Sequence, residues 1–355
     1  MTSVMSEDRA LPIHTAPRPA VRPTVSVVMS CYNSRHVLAQ LRSLREQTEP
    51  ADELVVFDDS TDPSIFPLLE RELALHPGRV VLERNATNLG MHRSYTRALS
   101  RATCDIVATC DHDDIWVPEK LAVVRDLLCD ASITGMVSDA SVMKSEEDCP
   151  PSSQDQGSLL TLAGFGLRGR SDLQELPLRR LLQGNAFSGA TLAFRRTVLE
   201  TALPLPLDLF PDYWLILCSA VQGPLRLVDR QLVRYRIHAQ NTVGVAAETD
   251  RSTRRLDRPY PHYTDESIDR LSGNSTRHRE LIEDWRWFLR WREALRCGGR
   301  GQVLSLLRSP RRGLRAARKF YLNHLGVGAD LVRFGRLMVL GPTTSNTMPL
   351  THAGS

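Results

Sequence analysis

Between residues 25 and 137 short apolar runs alternate with amphipathic stretches. Val25–Cys31 is almost continuously apolar, the profile of a strand buried on both faces. Val37, Leu38, Leu41 and Leu44 then recur at helical spacing, with Asn33 as the expected cap. Leu54–Phe57, Arg79–Leu82, Asp105–Cys110 and Ile133–Val137 read as further strands. A helix bearing Tyr95, Ala98 and Leu99 separates two of them, and Pro118–Glu119 reads as the first turn of another. Strands alternating with helices predict an α/β fold, a mostly parallel sheet wound with right-handed crossovers.

The alternation then fails. Residues 144–172 are rich in Ser, Gly, Asp and Pro and read as an irregular loop. A helix is expected around Leu173–Leu182, and a strand within Asn185–Arg195, whose Ser188, Gly189 and Ala190 would admit a ligand to the backbone. Leu209–Val221 reads as an apolar helix with Asp212 near its start. Two short strands, Leu225–Val228 and Leu232–Tyr235, lead into Arg236–Asn241. Residues 251–274 look like a polar linker, after which Leu281, Trp285, Phe288 and Leu295 return at helical spacing.

These patterns divide the 355 residues into a Pro-rich tail at 1–23, a main domain at 24–245, a helical extension at 246–340 and a second tail at 341–355. The net charge of +4 conceals an asymmetry: 25 basic against 32 acidic residues in 1–250, and 20 against 9 in 251–340. The basic extension suits either a helical appendage packed on the main domain or a face, bearing Trp285, Trp287 and Trp291, that lies on anionic lipid. No nucleic-acid motif accompanies the charge, so nucleic acid is not an expected partner. Seven scattered cysteines form no C-x-x-C pair, and neither a signal core nor a run of about 20 apolar residues is seen. Cytoplasmic placement is the expectation, with attachment at the inner face of the membrane if the extension binds lipid.

Candidate chemistry gathers at strand ends, where open α/β sheets collect ligands. Ser30–Asn33 offers a small residue, Asp58–Asp59 offers acceptors for a base or ribose, and Asn88–Leu89–Gly90 offers a turn tolerant of positive φ. Asp111, Asp113 and Asp114 put three carboxylates in four residues, which a solvated helix-capping turn or a hard divalent cation must hold. Neither G-x-G-x-x-G nor G-x-x-x-x-G-K-[ST] is present, against dinucleotide and P-loop readings.

The ordered set VSVVMSCYN, DDSTD, NLG, CDHDDIWVPEK, GNAFSGATLAFRR, PDYWLIL and VRYRIHAQNTVG resembles the family-2 glycosyltransferases, and within them the rhamnosyltransferase-like branch. The resemblance covers residues 24–245 and implies a GT-A fold with a C-terminal helical extension. It implies an inverting enzyme moving a sugar from a nucleotide-sugar to a glycan or lipid-linked acceptor in cell-surface polysaccharide synthesis, with Mg²⁺ or Mn²⁺ as cofactor. By matching position, Ser30, Tyr32, Asp58, Asp59, Asn88 and Gly90 would line the donor site. Asp111 and Asp113 would form the D-x-D, with Asp113 as metal ligand and Asp111 nearer sugar or ribose. Arg236 and His238 would sit by the diphosphate and metal, and Asp212 would be the base. Two departures stand out: no Gly follows Asp58–Asp59, and Asp212 follows Pro211 where the branch often has His. A nucleotidyltransferase and a sugar-nucleotide-binding scaffold without turnover are the competing readings.

Overall fold

The computed structural model describes residues 22–143, 155–163, 173–238, 263–296 and 300–307, together with 313, 316 and 320. In chain order β1 (Val25–Cys31), α1 (Val37–Arg45), β2 (Glu53–Asp58), α2 (Ile65–Leu73), β3 (Arg79–Arg84), α3 (Met91–Leu99) and β4 (Ile106–Cys110) alternate as expected. These four strands pair in parallel in the order β3-β2-β1-β4. Parallel neighbours need crossovers, and the helices supplying them cover both faces. Val28 therefore packs into one core with Tyr95 and Leu99, while Val27 and Met29 enter the opposite core with Leu41 and Leu69.

The sheet continues less regularly through β5 (Ile115–Trp116), α4 (Lys120–Leu128), β6 (Gly135–Met143), β7 (Asp155–Ser158), α5 (Leu159–Leu162), β8 (Leu173–Glu175) and α6 (Leu178–Leu182). Then come β9 (Leu192–Arg195), α7 (Leu199–Ala202), α8 (Pro211–Gln222) and β10 (Leu225–Arg236). The path runs β4-β9-β6-β10-β5, with β9 antiparallel to both neighbours and β6 parallel to β10. The short β5 matters most. It pairs antiparallel with β10 through Arg234↔Ile115, carrying the acidic turn from the end of β4 across to the end of β10.

Several local expectations change. Leu173–Glu175 is a strand on β10, because a sheet edge is available there and Pro177 disfavours helix in the residue before it. Within Asn185–Arg195 only Leu192–Arg195 is strand, Gly189–Thr191 being a 3-10 turn. Leu225–Val228 and Leu232–Tyr235 are one strand, broken only by register shifts at the exposed Asp229–Gln231. Asn33 is not a helix cap. It adopts φ 43° and its Oδ1 accepts from Thr61 and Asp62 N–H, joining two loops at the sheet's carboxyl edge. Of the expected loop 144–172, residues 155–163 form β7 and α5, and the remainder lies outside the described residues, as do 1–21, 239–262 and 341–355.

C-terminal helices are present: α9 (Asp265–Gly273), α10 (Arg279–Arg296) and α11 (Arg300–Leu307). Residues 265–273, expected as linker, form a helix capped by Thr264 Oγ1 accepting from Ser267 N–H. Ile268, Leu271, Ile282, Trp285 and Phe288 join the core that holds Trp214 and Leu217 of α8. Trp285 and Trp287 are buried, so the aromatic anchors expected to meet lipid are used in packing. Among the described residues, no helix is long and apolar enough to cross a membrane.

Candidate active site

Sheet register brings the first candidates together. Met29 lies beside Cys110 and Cys31 beside Asp58, so Ser30, Asp58–Asp59 and Asp111 leave three adjacent parallel strands at one edge. Asp59 is buried and organises the loops at this edge. Its Oδ1 accepts from Asn85 Nδ2 (2.7 Å) and Leu89 N–H (2.8 Å), and its Oδ2 from Gly90 N–H (2.9 Å). The Asn88–Gly90 turn is thus folded onto Asp59, and Gly90 supplies the φ of 76° that the turn requires before α3. Asn88 Nδ2 reaches the Asp59 carbonyl, and Asn85 continues to Ser94 Oγ and on to Ser30 Oγ. Asp58 is fully buried, accepts from Ser60 N–H and pairs with Arg84, while its Oδ2 lacks a hydrogen bond. Tyr32 is exposed on the rim.

The acidic turn is held from β10. Arg236 N–H donates to Asp114 Oδ1 (2.8 Å), and Arg236 Nε donates to the Asp113 carbonyl (2.8 Å). Arg236 is fully buried, so its guanidinium braces the turn from beneath. His238 Nε2 meets Asp113 Oδ2 at 2.9 Å, and the His36 ring lies 5.4 Å from the His238 ring. Burial pushes the Asp114 carboxyl well up, and neighbouring Asp113 and Asp111 add to it. Lys120 is buried with Nζ over the Trp116 ring at 4.5 Å, and burial lowers its ammonium to about 7.

Asp212 enters from the other side, in the first turn of α8 after Pro211. Its Oδ1 accepts from Tyr213 N–H (2.7 Å) and its Oδ2 from Asn185 Nδ2 (3.3 Å). Gly189 measures its approach to the acidic turn. A Cβ there would stand 3.3 Å from the Asp212 Cβ and 3.5 Å from an Asp111 oxygen, so the two carboxylates flank a residue without a side chain. Asp111 Oδ2 accepts from Ser188 Oγ and Ala190 N–H, which fastens this small-residue turn to the acidic one. Burial, then repulsion from Asp111, raises Asp212 to about 7; burial, then Asp113, raises Asp111 to about 6. Asp111, Asp113 and Asp212 nevertheless keep some solvent contact, as groups lining a cleft would.

This donor set fits a hard divalent cation. Two largely buried carboxylates repel each other beside an imidazole, and a cation would relieve that repulsion. Among the described residues no three His, Cys, Asp or Glu side chains form a ready-made cage.

Residues 26–200 match the family described as Glycosyl transferase family 2. That stretch, just under half of the chain, holds β1 to β4, β6, β9 and the acidic turn, and is similar to that family. An uncharacterised glycosyltransferase of Nostoc sp. is 26% identical over 233 residues, 63% of this chain and 68% of that protein. WfgD of Escherichia coli, a UDP-Glc:alpha-D-GlcNAc-diphosphoundecaprenol beta-1,3-glucosyltransferase, is 32% identical over 114 residues, 32% of this chain and 44% of its own length. The amylovoran biosynthesis glycosyltransferase AmsE of Erwinia amylovora is 37% identical over 100 residues, 27% of this chain and 36% of its own. The match thus spans about two thirds of the first relative and less than half of the other two. The fold is similar to that of S. aureus TarS 1–349, solved in complex with UDP-GlcNAc, with a TM-score of 0.50, 16% identity, and coverage of 82% of this chain and 79% of that one. The mostly parallel sheet flanked by helices is the GT-A architecture.

The site also contains neighbours of the carboxylates that sequence reasoning did not assign. Asn185 holds Asp212, and its only signal was its place in the small-residue stretch. Tyr95 and Tyr235 lie within electrostatic reach of Asp111 and Asp212, and burial with these charges keeps both phenols protonated. Both looked like ordinary core positions in helix and strand patterns.

Proposed function

We propose that the chain is an inverting, metal-dependent glycosyltransferase that moves a sugar from a nucleotide-sugar to a hydroxyl of a glycan or lipid-linked acceptor in polysaccharide synthesis. The observation that carries this reading is the seat at Gly189, which lets Asp212 face the acidic turn across one residue. Asp113 and His238 would hold Mg²⁺ or Mn²⁺, with Asp111 beside them. The bound ion would neutralise the leaving diphosphate as a Lewis acid. Asp212 takes the proton from the acceptor hydroxyl as its oxygen bonds to C1, from the face opposite the diphosphate, which inverts the anomeric centre. Arg236 keeps the turn in place and offsets its charge. Asp59 and Ser30, with Asp58, Tyr32, Asn88 and Gly90 around them, line the nucleoside side.

WfgD is named for a UDP-Glc donor, TarS was solved in complex with UDP-GlcNAc, and the sequence branch suggests rhamnose, so the donor panel is UDP-glucose, UDP-GlcNAc and a nucleotide-linked rhamnose. Incubation with Mn²⁺ and each donor should release nucleoside diphosphate, faster with glycan or polyprenyl-diphosphate-sugar acceptors present. Asp212→Asn should abolish transfer while leaving donor binding intact; full transfer by this variant would remove Asp212 as the base. Contact with an anionic membrane is retained in the proposal on charge alone, because Trp285 and Trp287 are buried and Trp291, partly buried, stacks on Trp287.

A further inference from the structure

Two hydrogen bonds fix the Asp212 carboxylate, one from Tyr213 N–H and one from Asn185 Nδ2. Both donors belong to segments pinned at one place. Tyr213 lies in the first turn of α8, and its hydroxyl donates to the Leu181 carbonyl at 2.7 Å. The Tyr263 hydroxyl donates to the Leu182 carbonyl at 3.1 Å, and the two phenol oxygens are hydrogen-bonded to each other. Leu181 and Leu182 end α6, and the chain reaches Asn185 three residues later. Each phenol has one proton to give. Since Tyr213 gives its own to Leu181, the one proton of Tyr263 is shared between the Tyr213 oxygen and the Leu182 carbonyl. Burial raises both phenols, so both remain donors.

Tyr263 is itself fixed by the C-terminal helices. Its ring meets Trp285 of α10 edge-on, with centroids 6.2 Å apart at 83°. The next residue, Thr264, donates its N–H to Asp208 Oδ2, and Ser267 Oγ donates to Asp208 Oδ1 at 2.8 Å. Asp208 precedes Asp212 by one turn's length of chain, in the segment that enters α8. The extension therefore grips this entry ahead of Asp212, through Asp208, and behind it, through Tyr213. Arg270 of α9 adds a third contact, with its guanidinium over the Trp214 ring at 4.9 Å.

We propose that Tyr263 is a positioning residue for Asp212, and that holding this carboxylate in register is a function of the C-terminal helices. The proposal rests on reading Asp212 as the base. Losing one hydroxyl from a hydrogen-bonded pair has a modest effect on folding. A carboxylate displaced by a fraction of an ångström still loses much of its rate advantage.

Hydrogen exchange on the full chain tests it, comparing wild type with Tyr263→Phe, Tyr213→Phe and Tyr263→Ala. Tyr263→Phe and Tyr213→Phe should exchange several-fold faster across 181–187 and 210–214 while 106–116 keeps its wild-type rates. UDP release from UDP-glucose with Mn²⁺ should fall by about tenfold to a hundredfold in kcat in both variants, with KM for UDP-glucose unchanged. Wild-type exchange in Tyr263→Phe, with loosening only in Tyr263→Ala, would make the ring a packing element and overturn the proposal. A uniform rise in exchange would overturn it too. Asp212→Asn separates the two readings: wild-type UDP release by that variant would sink the base assignment, while the exchange pattern alone decides whether Tyr263 holds the segment.

Discussion

Asp113 and His238 stand 125 positions apart in the chain and meet through a 2.9 Å contact between Oδ2 and Nε2. Antiparallel pairing of β5 with β10 makes the contact, because it delivers the acidic turn to the end of the strand that precedes His238. A carboxylate and an imidazole brought together this way are a starting set for a divalent ion.

Removal of His238 should therefore be felt first in metal affinity. His238→Ala is expected to weaken Mn²⁺ binding by roughly tenfold to a hundredfold. Titration of the free-Mn²⁺ electron paramagnetic resonance signal reads this without a substrate, and unchanged binding would exclude the imidazole from the site. Chelation with EDTA should stop turnover, and Mn²⁺ should restore it.

Asp212 predicts a pH profile. A base must be ionised, so kcat/KM should rise with pH through about 7, the value to which burial and Asp111 push this carboxyl. Cation binding beside Asp111 offsets that repulsion, so the limb in kcat should lie at lower pH. The same shift acts on stability in the opposite sense. Between the ordinary carboxylate value and about 7 the folded state binds the extra proton, so stability falls as pH rises across that window. Asp212→Asn should flatten this fall, giving a higher Tm than wild type at pH 8 and a similar one at pH 4. Parallel Tm curves for the two proteins would contradict it.

Gly189→Ala tests the seat between the carboxylates. The added methyl would lie 3.3 Å from the Asp212 Cβ, tight enough to displace the side chain without a backbone penalty, since Gly189 lacks a positive φ. Turnover should drop by about tenfold to a hundredfold while Tm changes by a few degrees at most. A large loss of Tm at full activity would show that the glycine serves packing alone.

Gly90→Ala should behave in the reverse way. It faces open space, but its φ of 76° suits glycine, so about 1 kcal/mol of stability should be lost. The turn presented to Asp59 should loosen with it, raising KM for the nucleotide-sugar more than it lowers kcat. Chemical denaturation and donor saturation curves give both numbers.

The first four parallel strands, their helices and the acidic edge were legible because hydrophobic periodicity is a local signal. β1 falls on the expected Val25–Cys31, and the candidates at Ser30, Asp58–Asp59, Asn88–Gly90 and Asp111–Asp114 follow from strand ends. What failed was decided by neighbours. Leu173–Glu175 became a strand because β10 offered an edge, Trp285 turned inward against Tyr263 and Phe320 and Trp287 stacked on Trp291, and Asn33 joined two loops instead of capping a helix. The sequence alone determined which carboxylates stand at the mouth of the sheet. Tertiary structure alone decided that Asp212 faces Asp111 across Gly189 and that Tyr263 braces it, because strand order and helix docking join residues too far apart for any local pattern to relate.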